Sequence, residues 1–222
     1  MDIVICISNI KIQEMNMKTI NDSIYRSFIV NTGVHTNLSC NKTTLDQIID
    51  LVEYMTEVHS KTLCVRLDIM NDVDEYTIME RHHITRVLEE TRRHLELKLR
   101  DSSNKLDLHY VWTTEQTSKT ERPHYHCFIL VNGNAIQDGY SVKKALNRIV
   151  MKWQRTHKQG LVHFSESNGK SGIMLNRNAS DFERRKGDAV YAGSYLAKVR
   201  SKEHRPKGAR FSSASRFPKR AG

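Results

Sequence analysis

Pro123-His124-Tyr125-His126-Cys127-Phe128-Ile129-Leu130 sets two histidines one residue apart at the head of an apolar run. On a β-strand alternate side chains share a face, so His124 and His126 present two imidazoles side by side while Tyr125 and Cys127 point the other way. With 11 His in 222 residues, chance alone supplies about half a His-x-His triplet. The weight of the motif therefore comes from its surroundings.

Upstream, Leu106 to Thr114 is a second apolar, β-rich run, joined to the first by a polar segment from Gln116 to Pro123, which predicts an antiparallel hairpin with a long loop. Thr62 to Ile69 alternates, with Leu63, Val65, Leu67 and Ile69 on one face and Cys64, Arg66 and Asp68 on the other, as a half-buried strand does. Between these strands the apolar spacing predicts a helix from Ile78 to Leu99. Ser141 opens another helix, with Val142, Ala145, Leu146, Ile149 and Trp153 toward the core and a basic opposite face of Lys143, Lys144, Arg148, Lys152 and Arg155. A short strand, Leu161 to Phe164, follows, and Ile173-Met174-Leu175 reads as a brief further one.

The resulting order, β-α-β-β-α-β, predicts an α+β fold of the ferredoxin-like, split βαβ kind, an antiparallel sheet with helices mainly on one face. The other face is then left for a site. Residues 1–60 are read as an N-terminal extension with one amphipathic helix, capped by Thr44 with Gln47 three positions on. Residues 61–200 form the principal domain and residues 201–222 a basic, flexible arm. Asp188 is the expected cap of the last helix, which carries Tyr191, Tyr195 and Lys198 at i, i+4, i+7 spacing.

The formal net charge of +10 is weighted toward the C-terminal third, which favours a polyanionic partner, nucleic acid foremost, because Lys and Arg release counterions from phosphates. Arg66 and the cations of the basic helix face are the expected contacts. Cys6, Cys40, Cys64 and Cys127 are widely spaced and lack the C-x-x-C spacing of a zinc or redox site. No apolar run is long enough for a membrane span and the first residues lack the pattern of a signal peptide, so a cytoplasmic protein without a membrane partner is expected.

Glu115 ends the first hairpin strand and His124 begins the second, so a carboxylate can fold back beside both imidazoles. Two histidines and a carboxylate suit Mg²⁺ or Mn²⁺ bridging a phosphate oxygen. Glu121 in the loop and Asp68 on a neighbouring strand are alternative third ligands, and the bland alternative is a pair of half-buried histidines satisfied by local hydrogen bonds. Tyrosine is a poor nucleophile until its phenolate is stabilised, which Lys198 or a metal ion can do for Tyr195. Aromatic packing is the plain alternative for both tyrosines.

Tyr110-Val111-Trp112-Thr113-Thr114-Glu115-Gln116, then Pro123 to His126, and Ser194-Tyr195-Leu196-Ala197-Lys198 downstream resemble the inovirus-type replication proteins and their prophage-encoded relatives. These resemble the HUH endonucleases, which initiate rolling-circle replication. The resemblance runs from Leu63 to Phe217. It implies a divalent ion held by His124, His126 and Glu115, with Tyr195 attacking the scissile phosphate to give a 5′-phosphotyrosine, Lys198 stabilising charge, and Tyr191 as a second nucleophile or a packing aromatic. The implied partner is single-stranded DNA or a hairpin origin in the bacterial host cytoplasm, with a host helicase or polymerase as a further candidate. The alternative is a non-catalytic nucleic-acid-binding or regulatory protein of prophage origin on the same fold.

Overall fold

A computed structural model describes residues 18–32, 39–70, 83–115, 124–155, 161–165, 171–199 and 211–218. Four short strands open it, β1 (Thr19–Ile20), β2 (Ile24–Tyr25), β3 (Phe28–Ile29) and β4 (Cys40–Asn41). Helix α1 (Lys42–Val58) follows, its cap one turn earlier than the Thr44 cap expected from the sequence. Asn41 is extended and its side-chain oxygen accepts from both the N–H and the hydroxyl of Thr44, at 2.9 and 3.0 Å, so Thr44 is the capped partner.

The principal sheet is built from β5 (Lys61–Ile69), then, after α2 (His83–Lys98), β6 (Leu108–Glu115) and β7 (His124–Asn132), and after α3 (Gly139–Trp153), β8 (Val162–Phe164). The order across the sheet is β6-β7-β5-β8, with every one of these neighbours antiparallel. The third strand of the β-α-β-β-α-β run thus lies between the first two. β9 (Ile173–Asn176) shares the outer edge of β5 with β8, one at each end of the strand. Helix α4 (Phe182–Ser194), a 3₁₀ turn (Tyr195–Ala197) and the edge strand β10 (Ser212–Ala214) on β6 complete the chain.

Strand alternation divides the core in two. Leu63, Val65 and Leu67 of β5, Tyr110 and Trp112 of β6, and Cys127 and Ile129 of β7 point to one face, where the apolar stripes of α2 and α3 bury them. Cys64, Val111, Phe128 and Leu130 point to the other, and α1, α4 and Leu196 cover them. Helices therefore occupy both faces, whereas the sequence placed them mainly on one. The amphipathic stripe of α1 finds its partner on the sheet, so the segment read as an extension shares the core. The second face is covered only in part, because toward the ends of β5, β6 and β7 nearest the hairpin loop its side chains become Arg66, Asp68, Thr113, Glu115, His124 and His126.

Two further expectations are corrected. Asp188 lies inside α4; the helix begins after Asp181, because Asp181 pairs with Arg185 at 2.7 Å and Arg184 with Asp188 at 2.9 Å, i, i+4 support that carries the helix through Gly187. The arm is also only partly an arm. Ser212–Ala214 pair with β6, Ser215 Oγ accepts from the Tyr110 N–H at 3.0 Å and lies 3.1 Å from His109 Nδ1, and the Phe217 ring packs on Tyr54 and His109. The long helix is described from His83 onward, so its expected start at Ile78 lies outside the described residues, as do Cys6 and Glu121.

Behind this docked segment, Asp107 accepts from His109 Nε2 at 3.1 Å and His59 Nε2 at 2.6 Å. Its backbone is left-handed, φ 41°. The bond from His109, helped by that from His59 and opposed by burial, holds the carboxyl down at about 2. A depressed carboxyl contributes stability that is present above its unfolded pKa and is lost as pH falls through its folded pKa. Asp107→Asn is therefore expected to lower the unfolding midpoint at neutral pH, with the difference from wild type closing between about pH 4 and pH 2. Denaturant unfolding across that range measures it, and a difference that persists unchanged at the acid end contradicts the assignment.

Candidate functional site

His126 occupies the central strand, directly opposite Thr113 of β6 on one side and Asp68 of β5 on the other, with His163 of β8 opposite Asp68. One pair further along, Glu115 stands opposite His124. Directly opposed residues share a face, so these side chains line one surface of the sheet. His126 Nδ1 donates to Asp68 Oδ1 at 2.7 Å and Nε2 to Glu115 Oε2 at 2.6 Å. An ionised carboxylate only accepts, so two such partners favour the imidazolium, with a proton on each ring nitrogen. Burial opposes that charge, but the hydrogen bonds to Asp68 and Glu115 outweigh it and raise the His126 pKa above the ordinary imidazole value.

Glu115 thus sits where the hairpin argument put it, and Asp68, an alternative to it in the sequence, is present at the same time. Two imidazoles and two carboxylates on one surface are a mixed nitrogen and oxygen set, of the kinds of donor that divalent transition-metal ions take. No three His, Cys, Asp or Glu side chains converge on a single ion position among the described residues, and Glu115 and His126 bond each other instead.

Tyr195 reaches this surface from the far end of α4. Helix α4 ends at Ser194, and the 3₁₀ turn delivers Tyr195 before Lys198 leaves the turn and forms a β-bridge with Cys40. The spacing of Tyr191, Tyr195 and Lys198 therefore does not continue on one helix. Tyr195 stands edge-on to His126, ring centroids 5.5 Å apart and planes at 79°. Arg66 Cζ lies 3.8 Å and Lys198 Nζ 4.2 Å from the centre of its ring, close cation-π contacts in a half-buried setting. Burial, then the charges of Glu115 and Asp68, raise the Tyr195 pKa against the opposing pull of Arg66. Burial and the nearby Arg66 charge lower that of Lys198.

The turn is fixed from several directions. Ser194 is fully buried, accepts from the Asn31 N–H at 2.8 Å and donates to the Tyr191 carbonyl at 2.7 Å, while the Val199 N–H bonds the Ser39 carbonyl. Residues before α1 thus hold both sides of the Tyr195 turn. Gly193 matters for a different reason: a Cβ there would lie 2.9 Å from Ile48 Cγ2 and 2.9 Å from Phe128 Cε1, so only glycine lets α4 come this close to α1 and the sheet.

Other expected residues are not brought to this site. Tyr191 is 47 % exposed, with no ring contact or side-chain hydrogen bond among the described residues. Lys144, Arg148 and Lys152 are exposed and Lys143 half-buried on α3, which packs against the opposite face of the sheet; Arg155, expected on the same face, lies beyond the helix, which ends at Trp153, and turns away with a left-handed φ of 49°. Of the expected nucleic-acid contacts, Arg66 alone lies in the Tyr195 cluster. The sequence signal for its role was its alternation with Asp68 on one strand; its stacking on Tyr195 comes from residues 129 positions apart and has no local signature.

Residues 26–214 match the YagK/YfjJ C-terminal domain. The chain belongs to that family. Its members are prophage-associated proteins, and the matched span takes in α1 together with the whole sheet and the site. No curated protein and no solved structure matches the chain. No helix among the described residues is long and apolar enough to cross a membrane.

Two outcomes test this geometry. The raised pKa of His126 means that it keeps its proton above the usual imidazole range, so its ion pairs stabilise the fold below that range and weaken as pH rises through the folded value. NMR titration of the metal-free protein should place its midpoint above 6.5, and Asp68→Asn should lower it; a midpoint indifferent to Asp68 contradicts the pairing. Gly193→Ala should cost about 1–3 kcal/mol by overpacking and shift the Tyr195 turn, seen as changed backbone amide shifts at residues 194–198. An unshifted, equally stable variant would remove Gly193 from the account.

Proposed function

We propose that this member of the family nicks and rejoins single-stranded DNA at a replication origin, through a 5′-phosphotyrosine on Tyr195. The observation that carries the reading is the contact of the Tyr195 ring with His126, within a surface that also holds Glu115, Asp68, Arg66 and Lys198. A strand order with the third strand between the first two supports the ferredoxin-like, HUH-type architecture. A prophage-associated family is also consistent with a replication initiator of the inovirus kind.

On release of the Nε2 proton, His126 would join His124 and Glu115 in holding a divalent ion, Mg²⁺ or Mn²⁺, with Asp68 orienting the ring from Nδ1. The ion would supply Lewis-acid polarisation of the scissile phosphate. Arg66 and Lys198 place two positive charges around the phenol, where they favour phenolate over phenol and neutralise charge developing on the phosphate. Tyr195 Oη then bonds to phosphorus as the bond to the 3′ oxygen breaks. The phenolic proton is released and the departing oxygen takes up a proton to become a free 3′-OH. Because the phosphotyrosine conserves the ester, a 3′-OH can reverse the step and rejoin the strand.

A second reading is a single-stranded nucleic-acid-binding protein without chemistry. It is favoured by the raised pKa of Tyr195 and by the saturation of both His126 nitrogens by carboxylates. Incubation with a labelled single-stranded origin oligonucleotide and Mn²⁺ separates the two. The nicking account expects a covalent adduct on a denaturing gel that is abolished by Tyr195→Phe and by EDTA and reduced at least about a hundredfold by His126→Ala. Salt-sensitive binding without an adduct, indifferent to EDTA and His126→Ala, supports the second reading.

A further inference from the structure

The cations of α3 lie across the sheet from His126, and they form part of a separate surface. Tyr140, Lys144 and Arg148 recur every four residues and so make one stripe along the outer side of the helix. At its head Tyr140 is 64 % exposed and stands edge-on to Phe164 of β8, centroids 5.0 Å apart, while Lys143 Nζ lies 4.9 Å from the centre of the Phe164 ring. Gly139 brings them together: a Cβ there would lie 1.5 Å from the Ser171 carbonyl oxygen, so the first turn of α3 sits directly against the chain leading into β9. Further along, Glu90 pairs with Lys152 at 3.3 Å, whereas Lys144 and Arg148 are exposed and form no ion pair among the described residues. An exposed ring followed by spaced cations is the composition of a surface that stacks a base and tracks a sugar-phosphate backbone.

Its position connects it to the site. The row His126, Asp68, His163 ends on β8, with His163 exposed on the site's face. The next residue, Phe164, points to the opposite face by strand alternation, and there it meets Tyr140. The stripe therefore begins one residue beyond the end of the site row, over the edge of the sheet.

We infer that single-stranded DNA passes from the site over the β8 edge, stacks a base on Tyr140 and follows Lys144 and Arg148 along α3. The path from the site rests on the nicking reading, whereas binding to the stripe is measurable without cleavage. Fluorescence anisotropy on full-length Tyr195→Phe protein in EDTA, with single strands of increasing length and a duplex of the same sequence, tests it. Tyr140→Ala should weaken binding of long single strands at least about fivefold and leave strands too short to pass the β8 edge unaffected. Lys144→Glu with Arg148→Glu should lower the slope of log affinity against log salt by about 1.4 for long strands. Equal losses for short and long strands, no loss at all, or a loss as large for the duplex would overturn the proposal. An adduct formed by the otherwise wild-type protein whose long-strand binding ignores the stripe would overturn this inference alone. Stripe-dependent binding without any adduct would overturn the nicking reading alone.

Discussion

The arrangement depends on one buried imidazole held by a carboxylate from each flanking strand. His126 sits on the central strand, and Asp68 and Glu115 reach its two nitrogens from β5 and β6. Register makes this possible: a slip of one residue in either pairing would turn the carboxylate of that strand to the opposite face, leaving a charged group against the core of α2 and α3. The same register sends Tyr125 and Cys127 into that core, where burial pushes the Tyr125 phenol up to about 12. Polar and apolar halves of one strand thus fix each other's orientation.

The second face of the sheet carries the polar cluster around His126. Half of it is sealed by α1 and α4 over Phe128 and Leu130, and the close approach at Gly193 carries the end of α4 down to the edge of the sealed half. Ser194 is locked there by Asn31, so the next residue, Tyr195, emerges against His126 rather than into solvent. Arg66 is half-buried beneath the ring, and burial lowers its pKa, though nearby Asp68 and the phenol partly restore it. Burial first, then the charges of Glu115 and Asp68, keep the proton on the Tyr195 phenol, against the opposing pull of Arg66.

Much of this was legible because it is periodic. Alternation in Thr62 to Ile69, the two hairpin runs and the apolar stripes of the helices each report one repeating geometry, and together they gave the strand and helix order. The pairing of Glu115 with the histidine strand was readable from the hairpin. What the sequence hid depends on contacts between distant segments. Asn41 in place of Thr44 as the cap, α4 continuing through Gly187, and Ser212–Ala214 completing the sheet edge are all decided by specific partners. Lys144, Arg148 and Lys152 do share an exposed face of α3, while Arg155 lies past its end; periodicity says nothing about which side of a sheet a helix covers, and α3 covers the side away from Tyr195.

The central claim is that the Tyr195 hydroxyl is the atom that reacts. The most direct measurement is peptide mapping by mass spectrometry of the protein after reaction with a single-stranded origin oligonucleotide and Mn²⁺, followed by nuclease trimming of bound DNA. The account predicts a nucleotide phosphate mass on Tyr195, with Tyr191 unmodified. A modification on Tyr191 or any other side chain, or none at all on protein that binds the oligonucleotide, would contradict it.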